Sequence, residues 1–503
     1  MSLILLLNGA GATGGTAPVV VSAPVASGAT QVGVAVSSSV GVWNNAPTSY
    51  GFQWKSATTV GGTYTNITGA VNQTYTPVSG DLGHFLQCVV TATNSTGSAA
   101  STSNDIGPVV AAGAATTSHR AAPGPSMIYE IDQSPLSAGP AFYSWSDVTA
   151  YARDQISVRR GRANALDKIE AGTGAFPVDN SSRAFEPEYA SSPYYPNIVP
   201  KRRTRLRAVY GGVVYPLHFG NVQSWPLTWP GLKSARTAIA STDGFELLSI
   251  HLLTQVFSAG QSGSLINQIL DAAGWDPSLR RIDPGTESML GIDAQQAAAL
   301  DLIQQVADSE LGLFFIAPDG YAVFHDRDHR IIASRSSNVQ WTFGDGGPAT
   351  GELPYLLPAT DYDVQWIYND VEVTSGLTGP GEPVMVPAID LVSQQQYGPR
   401  TLARSTLLDS DAATTDQANR ILANNKDPHL RIPTLTFDPT RDARLWPVLL
   451  GLEISDKVIV NRRPYVGGAM ISKLMWVEAI QHDITLGDTF AWLTTLSLSL
   501  ADP

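Results

Sequence analysis

Two histidines and two aspartates fall within five residues at His325-Asp326-Arg327-Asp328-His329, which are donor types for a metal ion. On a continuing strand, residues four apart lie about 13 Å from each other. Ligand bonds of about 2 Å cannot span that gap. Without a tight turn the segment reads as a polar strand end. Gly260-Gln261-Ser262-Gly263-Ser264 approaches a nucleophile elbow but ends in Ser, and no buried strand precedes it. Gly9-Ala10-Gly11-Ala12-Thr13-Gly14 fits a dinucleotide fingerprint, whose chemistry needs a helix N-terminus aimed at a pyrophosphate. Thr16-Ala17-Pro18-Val19-Val20-Val21 follows it and is strand-like, so this stretch reads as a flexible arm. No catalytic residue, cofactor site or metal site is expected.

The one dense basic run is Lys201-Arg202-Arg203-Thr204-Arg205-Leu206-Arg207. In a strand, Lys201, Arg203, Arg205 and Arg207 share a face. An acidic neighbour, in this chain or across subunits, suits them better than nucleic acid, because the rest of the chain is acidic. Just before it, Ser192-Pro193-Tyr194-Tyr195-Pro196-Asn197 is a stiff aromatic loop suited to contact. Lys201, Arg203, Arg205, Arg207, Tyr194 and Tyr195 are therefore the candidate subunit-interface residues.

These candidates must be positioned by a chain of 503 residues, enough for three or four domains. Charged residues are 15%, with 45 Gly and 33 Pro; typical domains carry about 25% charge. That balance favours a turn-rich β protein whose surface neighbouring subunits cover. The net charge of −13 argues against a dedicated nucleic-acid binder. A single cysteine, Cys88, excludes an internal disulfide framework. The apolar start has no positive n-region, and no stretch approaches the ~20 apolar residues of a membrane span. Synthesis and assembly in the cytoplasm are expected.

Composition breaks near residue 125. Residues 1–120 carry only Lys55, Asp81, Asp105 and Arg120 as charged side chains. Alternating runs at Gln31–Val36, Ser49–Lys55, Gln73–Val78 and Phe85–Thr93 are predicted strands of a sandwich. Trp54, Cys88 and Asp81-Leu82-Gly83 stand at the spacing of an immunoglobulin-like domain, which this part resembles. The partner cysteine is missing and Leu86 replaces the corner tyrosine. Later, apolar periodicity predicts helices at Ser264–Ala273, from an Asp293 cap with Gln296 to Gly312, and at Thr415–Asn424. Pro318-Asp319-Gly320 predicts a hairpin between Leu313–Ala317 and Tyr321–His325.

From Trp145 onward the chain resembles the minor tail protein, or baseplate hub, family of long-tailed phages. The resemblance is carried by Trp145-Ser146-Asp147-Val148-Thr149, Ile156-Ser157-Val158-Arg159-Arg160-Gly161-Arg162, Leu166-Asp167-Lys168-Ile169-Glu170-Ala171-Gly172-Thr173 and Thr242-Asp243-Gly244-Phe245. Leu452-Glu453-Ile454-Ser455-Asp456-Lys457-Val458 and Val477-Glu478-Ala479-Ile480-Gln481-His482 continue it. It covers about three quarters of the chain and implies a fold that is mainly β with some α. An N-terminal Ig-like β-sandwich would precede a hub of barrel or tube-like domains with a small α/β insert. The expected divisions are an arm at 1–16, the sandwich at 17–110, a linker at 111–127, a hub β-domain at 128–260, a helix–hairpin domain at 261–330, a second β-domain at 331–400 and a C-terminal helix plus β-domain at 401–503.

The resemblance implies a virion structural protein, not an enzyme: a homotrimer closing the distal tail tube around a channel, with roles in assembly, host attachment and genome ejection. Its implied partners are the tail tube or distal tail protein, the tape-measure protein and other tail-tip or fibre proteins. Viral DNA would only pass through, and a host glycan would meet the Ig-like domain. The alternatives are a receptor-binding tail adhesin and a tail-associated cell-wall hydrolase.

Overall fold

The computed structural model describes residues 16–27, 30, 32–109, 124–231, 234–358, 360–362, 365–376, 385–464, 468–487 and 490–501. The expected arm at 1–16, its glycine motif included, and the linker at 111–127 lie largely or wholly outside the described residues. The chain divides into two compact units, residues 1–118 and 119–503. It is mainly β with a minority of helix.

In the first unit, β1 (Ser49–Ala57) and β2 (Phe85–Asn94) pair antiparallel at the centre of a four-stranded sheet. Alternation decides what β2 buries. Leu86, Cys88, Val90 and Ala92 point inward and are fully buried. Trp54 stands opposite Cys88 in the register and donates its indole N–H to the Asn72 carbonyl at 3.1 Å. A three-stranded sheet, Ala26–Ser27, Val36–Ser38 and Thr74–Tyr75, supplies Ala26 and Val36 to the same core. Of the described residues in the expected strand at Gln31–Val36, only Val36 is in a strand, because Gly33, at φ 84°, turns the chain first.

The second unit is built on a fourteen-stranded sheet. Its main path uses β3 (Ser126–Asp132), β4 (Trp145–Asp147), β5 (Gln155–Gly161), β6 (Glu170–Asp179), β7 (Arg203–Tyr210), β8 (Val213–Ser224) and β9 (Ser234–Thr242). The spatial order is β4-β3-β7-β8-β9-β6-β5. Each of these pairings is antiparallel. Strands β6 and β9 alternate, sending Phe176, Val178 and Ile239 into a core shared with Tyr129, Leu206 and Val222.

A helix–hairpin block interrupts that sheet in sequence. It holds α1 (Ser262–Ala272), β10 (Arg280–Ile282), α2 (Ala299–Glu310), β11 (Leu313–Ile316) and β12 (Ala322–His325). The hairpin forms as predicted, with Leu313 opposite His325. Helix α1 starts two residues earlier than expected. Helix α2 starts at Ala299, not beside Asp293. Ile292–Asp293 and Ala297–Ala298 are instead spent pairing with Val256–Phe257 and Leu252–Leu253. Between them Gln295 and Gln296 take positive φ, which breaks any helix there. One face of each helix packs into a core with Phe314, Ile316 and Phe324.

Two four-residue helices follow, α3 (His329–Ile332) and α4 (Ser334–Ser337), then β13 (Val339–Gly344). A small sheet of β14 (Asp370–Thr374), β15 (Met385–Ile389) and β16 (Thr401–Ser405) packs Val371, Val373 and Ala388 on α5 (Asp411–Asn425). Ser410 caps α5 by accepting the Ala413 N–H. The chain returns through β17 (Thr434–Phe437), β18 (Lys457–Arg462), β19 (Ile471–Thr485) and β20 (Ala491–Leu500). The fifteen-residue β19 pairs with β5, β18 and β20, and so joins the two halves of the large sheet.

Candidate functional site

The basic run from Arg203 onward lies in β7, where two carboxylates on the neighbouring strand answer three arginines. Arg203, Arg205 and Arg207 alternate onto one face. Arg203 meets the fully buried Asp132 at 2.8 Å and stacks its guanidinium 4.2 Å from the Tyr143 ring centre. Arg205 and Arg207 both reach Glu130, at 2.7 and 2.6 Å, and Arg205 lies 4.0 Å over Trp145. Glu130 and Asp132 sit on β3, which the register places directly beside β7. Lys201 departs from the expected face. It lies before the strand at φ 68° and pairs with Glu246.

The two tyrosines separate. Tyr194 packs inward, stacked on Phe185 at 5.4 Å and 20°, with Tyr151 and Trp225 in the same cluster. Tyr195 is 48% exposed. A single loop therefore spends one aromatic ring on its own core and presents the next outward.

The histidine cluster is the clearest correction. The strand ends at His325 and the chain turns, with the Asp326 carboxylate accepting the Asp328 N–H at 3.1 Å and α3 beginning at His329. The two rings stack with centres 3.4 Å apart and planes 10° from parallel. Asp283 accepts from His329 Nδ1 at 2.7 Å, and His325 Nδ1 lies 3.2 Å from the Ser455 hydroxyl. A cavity of about 350 Å³ borders them, lined also by Arg281, Phe315 and Glu453. Among the described residues, no group of three or more His, Cys, Asp or Glu side chains is arranged to hold a metal ion. Ser262 is buried in the first turn of α1, where its hydroxyl has no imidazole partner.

Sequence reasoning missed the strongest polar node. Glu478, at the middle of β19 and fully buried, accepts from Arg162 Nε at 2.8 Å, from Arg330 at 2.8 and 3.0 Å and from the Ser499 hydroxyl at 2.6 Å. Burial alone would raise its pKa; the two guanidinium groups outweigh that and hold it well below the usual carboxylate range. Gly161 makes the approach fit. Its φ is 105°, and a Cβ there would fall 2.2 Å from the Glu478 carbonyl. The signal was an acid inside the apolar run Met475-Trp476-Val477-Glu478-Ala479-Ile480, since a buried carboxylate demands a cation.

Apart from the exposed Tyr195 and the Ser262 hydroxyl, these groups are paired, stacked or packed within the chain. The arrangement joins elements and holds them.

Among the described residues no helix is long and apolar enough to cross a membrane. The sequence matches no family model and no curated protein. Among solved structures, it is similar to a tail protein from Neisseria meningitidis MC58, at 13% identity over 74% of this chain and 96% of that one, with a TM-score of 0.48. The 43 kDa tail protein of prophage MuSo2 from Shewanella oneidensis shares 12% identity over 74% and 98%, with a TM-score of 0.45. The prophage tail protein gp18 from Listeria monocytogenes EGD-e shares 12% over 75% and 96%, with a TM-score of 0.42.

Proposed function

We propose that this chain is a structural subunit of a phage tail tip, a baseplate-hub or minor tail protein acting as a part and not as a catalyst. In this reading three copies close the distal end of the tail tube around a channel, against the distal tail and tape-measure proteins. The DNA passes through without being held. The first unit is an outward Ig-like accessory domain; Trp54 facing Cys88 between two sheets supports that assignment.

The observation that carries the reading is the unfinished margin of the large sheet. Among the described residues β4 has one strand partner, β3, so its outer edge is open. Large apolar side chains elsewhere on the unit stand in solvent: Phe142 at 77% and Trp229 at 68% exposure. Open strand edges and exposed apolar groups are what assembly covers. Segments resembling tail hubs run through the same sheet, from β4 to β19. Tyr195 and the rim beside the β3–β7 charge ladder are the proposed subunit contacts, with Arg203, Arg205 and Arg207 stiffening the strand behind them.

Measuring the mass of the purified chain and imaging the tail tip tests this. Three-fold rings containing the protein are expected. A stable monomer absent from assembled tails would refute the reading. Tails made without residues 1–125 test the outward domain: intact tails with impaired adsorption are expected, and failed assembly would place that unit in the scaffold.

A further inference from the structure

We propose that the stacked pair His325–His329 is an acid-operated latch holding the helix–hairpin block against the long strand β19. The segment leaving β12 ties the two together. His329 bonds to Asp283, next to β10, while Arg330 is clamped on Glu478 of β19. Arg335 adds Asp456, at 2.5 and 2.7 Å.

Ser455 Oγ accepts from Arg330 Nε at 3.2 Å and lies 3.2 Å from His325 Nδ1. His325 is held in a buried stack, its ring 3.4 Å from that of His329 and with Arg330 beside it, which disfavours a charge on it. A second proton on the pair would place two like charges within stacking distance. The surrounding charges are mixed. Asp283 and Arg281 face the pair from the β10 edge, Asp326, Asp328 and Arg330 from its own segment, Glu453 and Asp456 from the turn before β18, and Glu478 from behind Arg330. Asp283 is already engaged by His329 and by the Asp326 N–H, and Glu453 by Arg160. Burial, and then the neighbouring His329, push the pKa of His325 down to about 3. Once the latch opens, the imidazole returns to about 6.5. Acid therefore favours opening.

Hydrogen exchange on the full chain, followed peptide by peptide from pH 7 to about pH 4.5, tests this. With one such histidine, the opening equilibrium of residues 326–337 should rise by about a hundredfold over that range. Those amides should lose protection at a pH where residues 471–485 keep theirs. Simultaneous loss in both segments would overturn the latch. H325Q keeps a hydrogen-bonding side chain beside Ser455 but cannot titrate, and should flatten the profile of 326–337; an unchanged profile would also overturn it. If H325Q fails to fold, the comparison of the two segments in the native protein decides alone.

Discussion

Glu478 and Arg330 lie 148 residues apart in sequence and meet through two hydrogen bonds, 2.8 and 3.0 Å long, at the centre of the second unit. Arg162, 316 residues away, closes on the same carboxylate. Removing the charge leaves two guanidinium groups, 10% and 18% exposed, without their counter-ion. Breaking a buried pair in this way costs about 3–5 kcal/mol. E478Q should therefore lower the denaturant midpoint of the second unit steeply. A change under about 1 kcal/mol would show that water or another group replaces the carboxylate.

The β3–β7 ladder makes a graded prediction. Glu130 serves both Arg205 and Arg207 from a site 10% exposed, so E130A strands two partly buried cations and should cost about 3 kcal/mol. Lys201 pairs with Glu246 outside the ladder and is 32% exposed, so K201A should cost less than about 1 kcal/mol. Equal effects in equilibrium unfolding would contradict the division of the basic run into ladder and flank.

Much of this was legible in the residues. Alternation put Leu86, Cys88 and Val90 on one face of β2, which is the buried one, and Pro318-Asp319-Gly320 placed the hairpin turn, each strand ending one residue short of its expected bound there. Period two is local, so the shared face of Arg203, Arg205 and Arg207 could be read from the sequence, but Lys201, expected with them, lies before the strand and pairs with Glu246. Partners were not legible, because pairing of β3 with β7 is set by the whole sheet. Local signals misled where tertiary bonds outbid them: Asp293 has the look of a helix cap, yet its segment is held in short strand pairs. The approach of the two histidines hung on a tight turn, which their residue types did not declare and which Asp326 supplies by accepting the Asp328 N–H.

Tyr194 and Tyr195 are adjacent and should behave as opposites. Tyr194 stacks within the core cluster, so Y194A should cost about 2–4 kcal/mol. Tyr195 is half exposed, and Y195A should leave the stability of the isolated chain within about 0.5 kcal/mol. On the proposed function, Y195A should still weaken assembly. Thermal melts of the purified chains and incorporation into tails give the two readouts. Normal incorporation of Y195A would remove it from the interface.

Cys88 is fully buried behind Trp54, and burial raises its pKa above that of a free thiol. The thiolate is the reactive form, so both access and ionisation protect it. A disulfide reagent should label the folded chain at least about a hundredfold more slowly than the denatured chain, which should yield one thiol. Fast labelling of the native protein would mean that the first unit opens readily.

Two further histidines make the second unit acid-labile. His218 is buried beside Phe176, with Nε2 2.9 Å from the Ser241 hydroxyl. His482 Nδ1 accepts from the Trp492 indole at 3.3 Å and lies 3.0 Å from the Thr494 hydroxyl. Burial pushes both down to about 3, Arg160 adding to the effect at His482. A free imidazole titrates near about 6.5, so between these values the unfolded chain binds protons that the folded chain refuses. Stability is complete above about pH 6.5 and is lost as pH falls toward 3, at up to about 1.4 kcal/mol per pH unit for each histidine. Urea midpoints measured between pH 7.5 and about pH 4.5 should fall accordingly. H482Q should reduce the slope by about one proton. An unchanged slope in that variant would mean that His482 is charged in the folded protein, which its acceptor role toward Trp492 forbids.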